Sequence, residues 1–139
     1  MIIKNSDYVL KDKKTTYIDS KVVIGKNVII YENNRIEGCS VVDDNVTIFP
    51  NCYISNSFIG KGTKIYSSVV EKSNVGGCSL VGPYSHLKLT KLSDKTKVGA
   101  FCELKNCSFE TSMSISSGTI MKNNEKSWNI IWFTFKKDG

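Results

Sequence analysis

The side chains that could perform acid–base or metal chemistry are few in this 139-residue chain and lie far apart. His86 is the single histidine, and imidazole is the side chain that most readily exchanges a proton near neutral pH. The five cysteines form no Cys-x-x-Cys pair and are odd in number: Cys39, Cys52, Cys78, Cys102 and Cys107. We therefore expect neither a disulfide framework nor a metal site.

The formal charge of +6 raises the possibility of a nucleic-acid ligand. The lysines, however, are scattered along the chain and do not form one stripe interleaved with aromatic residues, so a solvated surface is the favoured interpretation and no nucleic-acid partner is expected. No apolar run approaches the roughly 18 residues that a membrane span requires. The first 14 residues lack a signal-peptide core. We expect a cytoplasmic protein that does not bind a membrane.

One aliphatic residue returns at every sixth position in the first half of the chain: Ile18, Ile24, Ile30, Ile36, Val42, Ile48 and Ile54. The pattern continues to Met121 with some five-residue steps. Neither an α-helix, with its period of about 3.6, nor an alternating strand produces this spacing. Small or β-branched residues follow four positions after the aliphatic one, and glycine often follows directly, where it would tolerate unusual backbone angles. The pattern predicts a three-sided coil that turns every sixth residue and buries its aliphatic residues only when coils stack.

The chain divides into three predicted segments. Residues 1–17 are a lead-in, residues 18–121 are an all-β single-stranded parallel β-helix of about six coils of about eighteen residues each, and residues 122–139 are an irregular tail. The tail holds Trp128 and Trp132 and has a strong β-propensity. We expect it to cover the open end of the solenoid or to pack on a neighbouring subunit; a membrane-surface anchor or the product of a truncation are the alternatives.

Four stretches are more specific than the general repeat. They are Asp-Lys-Lys-Thr-Thr-Tyr-Ile-Asp-Ser at 12–20, Ile-Tyr-Ser-Ser-Val-Val-Glu-Lys-Ser-Asn-Val at 65–75, Val-Gly-Pro-Tyr-Ser-His-Leu-Lys at 81–88 and Val-Gly-Ala-Phe-Cys-Glu-Leu-Lys at 98–105. These stretches resemble the bifunctional N-acetylglucosamine-1-phosphate uridyltransferase / glucosamine-1-phosphate acetyltransferase family. The resemblance covers residues 7–121 and implies a left-handed β-helix that forms a homotrimer. It also places Lys88 and Lys105 where the family holds the sugar phosphate with an arginine and a lysine. Both residues could equally be solvated turn lysines.

The chain departs from this family at the catalytic positions. Ser117 stands where the family has the histidine that serves as base, and Ile120 stands where it has a tyrosine. Neither side chain accepts a proton near neutral pH as imidazole does. The counterpart of His86 lies outside that catalytic role, which favours a surface or subunit-contact residue.

The family's acetyl-coenzyme A pocket is formed by later coils, and its nucleotidyltransferase domain precedes the β-helix; the sequence matches neither. We therefore expect a truncated hexapeptide-repeat protein that lacks catalytic activity alone, needs no cofactor, and serves in weak sugar-phosphate binding or as a trimeric assembly module. The alternative is an acetyl-coenzyme A-dependent glucosamine-1-phosphate N-acetyltransferase of amino-sugar nucleotide biosynthesis, active alone or completed by a separately encoded uridyltransferase or β-helix chain.

Overall fold

The nineteen strands between residues 8 and 124 are two or three residues long and wind into three parallel sheets. The computed structural model describes residues 8–124, and all of the regular structure in that range is β-strand. The strands are short because the chain turns after every five or six residues. We number them β1 to β19 in chain order. Between residues 8 and 124 there is no helix long and apolar enough to cross a membrane.

Sheet A has seven strands: β1 (Val9–Leu10), β4 (Ile29–Ile30), β7 (Thr47–Ile48), β10 (Lys64–Ile65), β13 (Leu80–Val81), β16 (Lys97–Val98) and β18 (Ser114–Ile115). Sheet B also has seven: β2 (Tyr17–Ile18), β5 (Arg35–Glu37), β8 (Tyr53–Ser55), β11 (Val69–Glu71), β14 (His86–Lys88), β17 (Glu103–Lys105) and β19 (Ile120–Lys122). Sheet C has five: β3 (Val23–Ile24), β6 (Val41–Val42), β9 (Phe58–Ile59), β12 (Asn74–Val75) and β15 (Lys91–Leu92). Each strand pairs with the strand one coil away and never with its neighbour in sequence.

The interior of the coil is lined by the aliphatic residues of the six-residue pattern. Ile30, Ile36, Ile54 and Ile65 are all 0% exposed. Because side chains alternate across a strand, the residues on either side of each aliphatic one point outward. The core is therefore one continuous column that no single coil could bury by itself.

Hydroxyl groups form ladders at the corners between the sheets. The amide of Ser57 donates to the Ser40 hydroxyl, that of Ser73 to the Ser57 hydroxyl, and that of Thr90 to the Ser73 hydroxyl, each at 3.1 Å. All of these residues are buried. The small residues of the repeat thus do more than fit a narrow corner, because each hydroxyl also satisfies a backbone amide of the next coil.

The prediction of a left-handed parallel β-helix is confirmed, with about seven turns where the sequence suggested about six. The extra turn includes β1, which lies inside the predicted lead-in and pairs in register with β4. Coil lengths also vary: hydrogen bonds from backbone amides to side-chain oxygens of the preceding coil join residues 18 apart at Cys52, 16 apart at Ser73 and 17 apart at Ser85. The boundaries at residues 17 and 121 stay predictions, and the tryptophan-containing part of the tail lies outside the described residues.

The five thiols fall into two classes of accessibility. Cys39 and Cys78 are exposed, whereas Cys52, Cys102 and Cys107 are buried. Burial raises the pKa of the Cys52 thiol from 9.0 to about 11, and burial also raises the pKa of Cys102. We expect two thiols to react promptly with a chromogenic disulfide at pH 8 and the other three to react only after denaturation, because the thiolate is the nucleophile. Prompt reaction of three or more thiols in the native protein would contradict this assignment.

The raised pKa of Cys52 also makes the stability of the folded protein depend on pH. The folded protein holds the Cys52 proton more tightly than the unfolded chain does. This contribution to stability is therefore fully present below about pH 9 and is lost as the pH rises toward 11.

Candidate functional site

The outer face of sheet B carries a row of side chains that changes from acidic to basic. Its members occupy the third position of successive strands and pair in register: Glu37, Ser55, Glu71, Lys88, Lys105 and Lys122. We call the last three the lysine row. Lys88 pairs with Lys105 across β14 and β17, and Lys105 pairs with Lys122 across β17 and β19.

The structure thus brings together Lys88 and Lys105, which the sequence alone could not place on one site. Their backbones are one strand spacing apart, about 4.8 Å. None of the three lysines forms an ion pair or a side-chain hydrogen bond with any residue from 8 to 124. Like charges directly opposite one another on paired strands repel. An anion bound across the row would relieve this repulsion.

The acidic half of the row is occupied by internal contacts. The Tyr53 hydroxyl donates to Glu37 Oε2 at 2.6 Å, and the Arg35 guanidinium pairs with Glu37 Oε1. These hydrogen bonds, Tyr53 first and Arg35 second, lower the pKa of the Glu37 carboxyl. Glu37 therefore stays charged and partnered, whereas the lysine row is left without counterions among the described residues.

His86 lies on the same face, two residues before Lys88 on β14. Its Nε2 is 2.9 Å from Oε1 of Glu71 on the neighbouring strand, and its side chain is 42% exposed. The predicted surface position is consistent with this exposure. One ring nitrogen, Nε2, therefore contacts a carboxylate of the same chain, and the other, Nδ1, is left for outside contacts.

Ser117 accepts a hydrogen bond from the backbone of the preceding coil. The Ala100 amide donates to Ser117 Oγ at 3.0 Å. At another corner of the coil, Asp44 and Asp94 accept equivalent bonds from the amides of Lys26 and Gly77, each at 2.8 Å. Ser117 is therefore a turn-stabilising residue of a kind that the solenoid repeats. Ile120, at the predicted tyrosine position, points outward and is 55% exposed.

Two features of this face were not predicted from the sequence. The first is Lys122. It follows Lys105 in the sequence by as many residues as Lys105 follows Lys88, and this equal spacing could have indicated the shared row. The second is an aromatic pair at the corner that leads into sheet B. The rings of Tyr84 and Phe101 stack with centroids 5.3 Å apart, and the two residues are 65% and 66% exposed.

The described residues hold no group of three or more His, Cys, Asp or Glu side chains placed to bind a metal. The site is therefore built from ammonium groups, one histidine–carboxylate pair and an aromatic pair. In chemical terms this arrangement can attract and orient an anion. It offers no hydroxyl or thiol nucleophile that is activated by an adjacent base.

Sequence comparison finds relatives that are bifunctional GlmU proteins. The chain is 37% identical over 99 residues to the bifunctional protein GlmU of Geobacillus sp., covering 70% of this chain and 22% of that protein. It is 40% identical over 100 residues to GlmU of Clostridioides difficile, covering 71% and 22% respectively. The chain thus matches about a fifth of the length of these curated relatives. No protein-family model matches the chain.

Structure comparison supports the fold independently. A solved structure of a candidate acetyltransferase, the product of the BC4754 gene of Bacillus cereus, superposes with a TM-score of 0.64. It covers 84% of this chain and 75% of the other, at 14% sequence identity. At this identity the likeness shows a shared β-helical fold and carries no information on the ligand.

Proposed function

From the premise that this chain belongs to the bifunctional GlmU family, of which it matches the acetyltransferase part, we propose that it is a sugar-phosphate-binding β-helix without acetyltransferase activity of its own. Lys88 and Lys105 hold the phosphate, and the ligand is a phosphorylated amino sugar. The observation that carries the proposal is the in-register pairing of these two lysines without any counterion among residues 8–124.

The lack of activity follows from what occupies the catalytic positions. Acylation of an amine benefits from a group that removes its proton, and such a base typically contributes about 10²–10⁴-fold to the rate. The Ser117 hydroxyl instead accepts the Ala100 amide, and Ile120 offers only carbon atoms. His86 is bound to Glu71 and stands where the family resemblance gives no catalytic role.

We propose in addition that the protein assembles as a cytoplasmic homotrimer. The GlmU relationship supports this indirectly, as do the apolar side chains left exposed outside the core, among them Tyr84, Phe101 and Ile120. Analytical ultracentrifugation would show a species of three times the chain mass. A monomer at micromolar concentration would contradict the assembly without affecting the phosphate site.

The second candidate function is an active acetyl-coenzyme A-dependent N-acetyltransferase, alone or with a second chain. The match to the acetyltransferase part of GlmU favours it. Positioning of an amine and a thioester can support reaction with water taking the proton. Incubation with glucosamine 1-phosphate and acetyl-coenzyme A separates the two functions. We expect no amine-dependent release of free thiol, and release at enzymatic rates would establish the second function.

Replacing both Lys88 and Lys105 by methionine should strongly weaken sugar-phosphate binding. A charge-assisted hydrogen bond is worth about 1.5–3 kcal/mol, so loss of two should weaken binding about 100-fold or more. Calorimetric titration of glucosamine 1-phosphate into the wild type and the double variant measures the change.

The matched control is the double variant Lys64→Met, Lys97→Met. It removes the same charge from exposed, outward-facing lysines of sheet A, whereas Lys105 is exposed and Lys88 half-buried. This control should bind as the wild type does. Equal losses in both double variants would show that net charge alone attracts the ligand, and the proposed site would be wrong.

A further inference from the structure

We propose that Lys122 extends the phosphate site, so that the lysine row recognises two adjacent phosphates of a diphosphate rather than a single phosphate. The inference rests on the proposed function, because it adds a third position to the site of Lys88 and Lys105. The role of Lys122 is not implied by the family resemblance. It depends only on the position of β19 beside β17.

The geometry of the row is that of three evenly spaced cations. Lys122 pairs with Lys105 in the same register in which Lys105 pairs with Lys88, so the three backbones follow one line across sheet B. Neighbouring positions are about 4.8 Å apart, and the row spans about twice that distance. Lysine ammonium groups act as flexible point charges on long stems and can converge on one short anion.

A single phosphate does not use the whole row. When it lies between Lys88 and Lys105, it is more than one strand spacing from the backbone of Lys122. A diphosphate centred on Lys105 places one phosphate toward Lys88 and the other toward Lys122. Each terminal phosphate then has its own outer lysine, and the central lysine serves both, which matches charge to charge along the row.

Carboxylates limit how far an anion can extend beyond Lys88. Below Lys88 the row continues with Glu71, whose carboxylate would repel a longer polyanion. Glu71 is moreover held by His86 and is not available to pair with Lys88. Glu103, exposed on the same face of β17 two residues before Lys105, is the one other carboxylate on the strands of the lysine row. Three consecutive cations, with a carboxylate at the Lys88 end and a second beside Lys105, are a length suited to two phosphates.

The test compares inorganic phosphate, inorganic pyrophosphate and adenosine diphosphate by calorimetric titration at fixed ionic strength. The wild type should bind pyrophosphate about 10-fold more tightly than phosphate. Lys122→Met should remove that preference and leave phosphate affinity within about 2-fold. Comparison of adenosine diphosphate with pyrophosphate distinguishes a diphosphate ester from free pyrophosphate as the preferred source of the same chemical unit.

Lys97→Met is the control, because it removes one exposed lysine of sheet A and changes the net charge equally. It should keep the preference for pyrophosphate. The inference is overturned if Lys122→Met and Lys97→Met lose the same amount, or if the wild type binds both anions alike. In those cases a dependence of phosphate binding on Lys88 and Lys105 would leave the proposed function standing. If phosphate binding did not depend on Lys88 and Lys105, both the inference and the proposed function would be wrong.

Discussion

Replacing Gly76 by alanine should lower the free energy of unfolding by about 3 kcal/mol or more, as overpacking does when backbone must move. A Cβ added at Gly76 would lie 2.5 Å from the amide nitrogen of Asp94 and 2.5 Å from the carbonyl carbon of Ser93. Both atoms belong to the backbone of the next coil, so no side-chain rotation can relieve the contact. The next coil would have to separate from this one at that corner.

Gly118→Ala is the comparison for this effect. Nothing lies within 4 Å of a Cβ at Gly118, but its φ is +80°. The expected cost is therefore backbone strain alone, about 1–2 kcal/mol. Urea denaturation followed by circular dichroism measures both variants. A smaller loss for Gly76→Ala than for Gly118→Ala would show that coil spacing tolerates the extra methyl group.

Replacing Ile65 by alanine should lower the free energy of unfolding by about 2–5 kcal/mol, the range observed when large core aliphatics are truncated. Ile65 is 0% exposed and lies in the middle of sheet A, between β7 and β13. The removed atoms leave a cavity that the flanking coils cannot fill without breaking their hydrogen bonds.

Ile120→Ala provides a matched control with the same side-chain change at an outward position. Because Ile120 is 55% exposed, its truncation should cost about 0.5 kcal/mol or less in the isolated chain. The same denaturation measurement applies. Equal effects at the two positions would contradict the assignment of inward and outward residues along the repeat.

The six-residue pattern was enough to predict the fold because it shows directly which residues point inward.

The glycines after the aliphatic residues were predicted to supply unusual backbone angles, and that reason is wrong. Positive φ occurs among the described glycines only at Gly38, Gly62 and Gly118. Gly76 is required instead by the close approach of the next coil. Most residues with a positive φ are not glycines. Of the fifteen non-glycine residues with a positive φ, eight are asparagines, which tolerate that region better than most residues.

The site could be predicted only in part. A resemblance in sequence identifies Lys88 and Lys105 one at a time, whereas their pairing depends on a coil length that varies from 16 to 20 residues. Lys122 has no counterpart in the motifs and becomes visible only when β19 is in register with β17. The hydrogen bond from Ala100 to Ser117 likewise depends on how two turns stack, which sequence spacing does not define.

The reversal of charge along sheet B gives this molecule an electric polarity. Glu37 and Glu71 lie toward one end of the solenoid axis and the three lysines toward the other. A small anion diffusing nearby is drawn toward the lysine end before it makes any contact, over a range of about 8 Å at physiological salt. The protein can thus orient an incoming ligand through its field as well as hold it through its side chains.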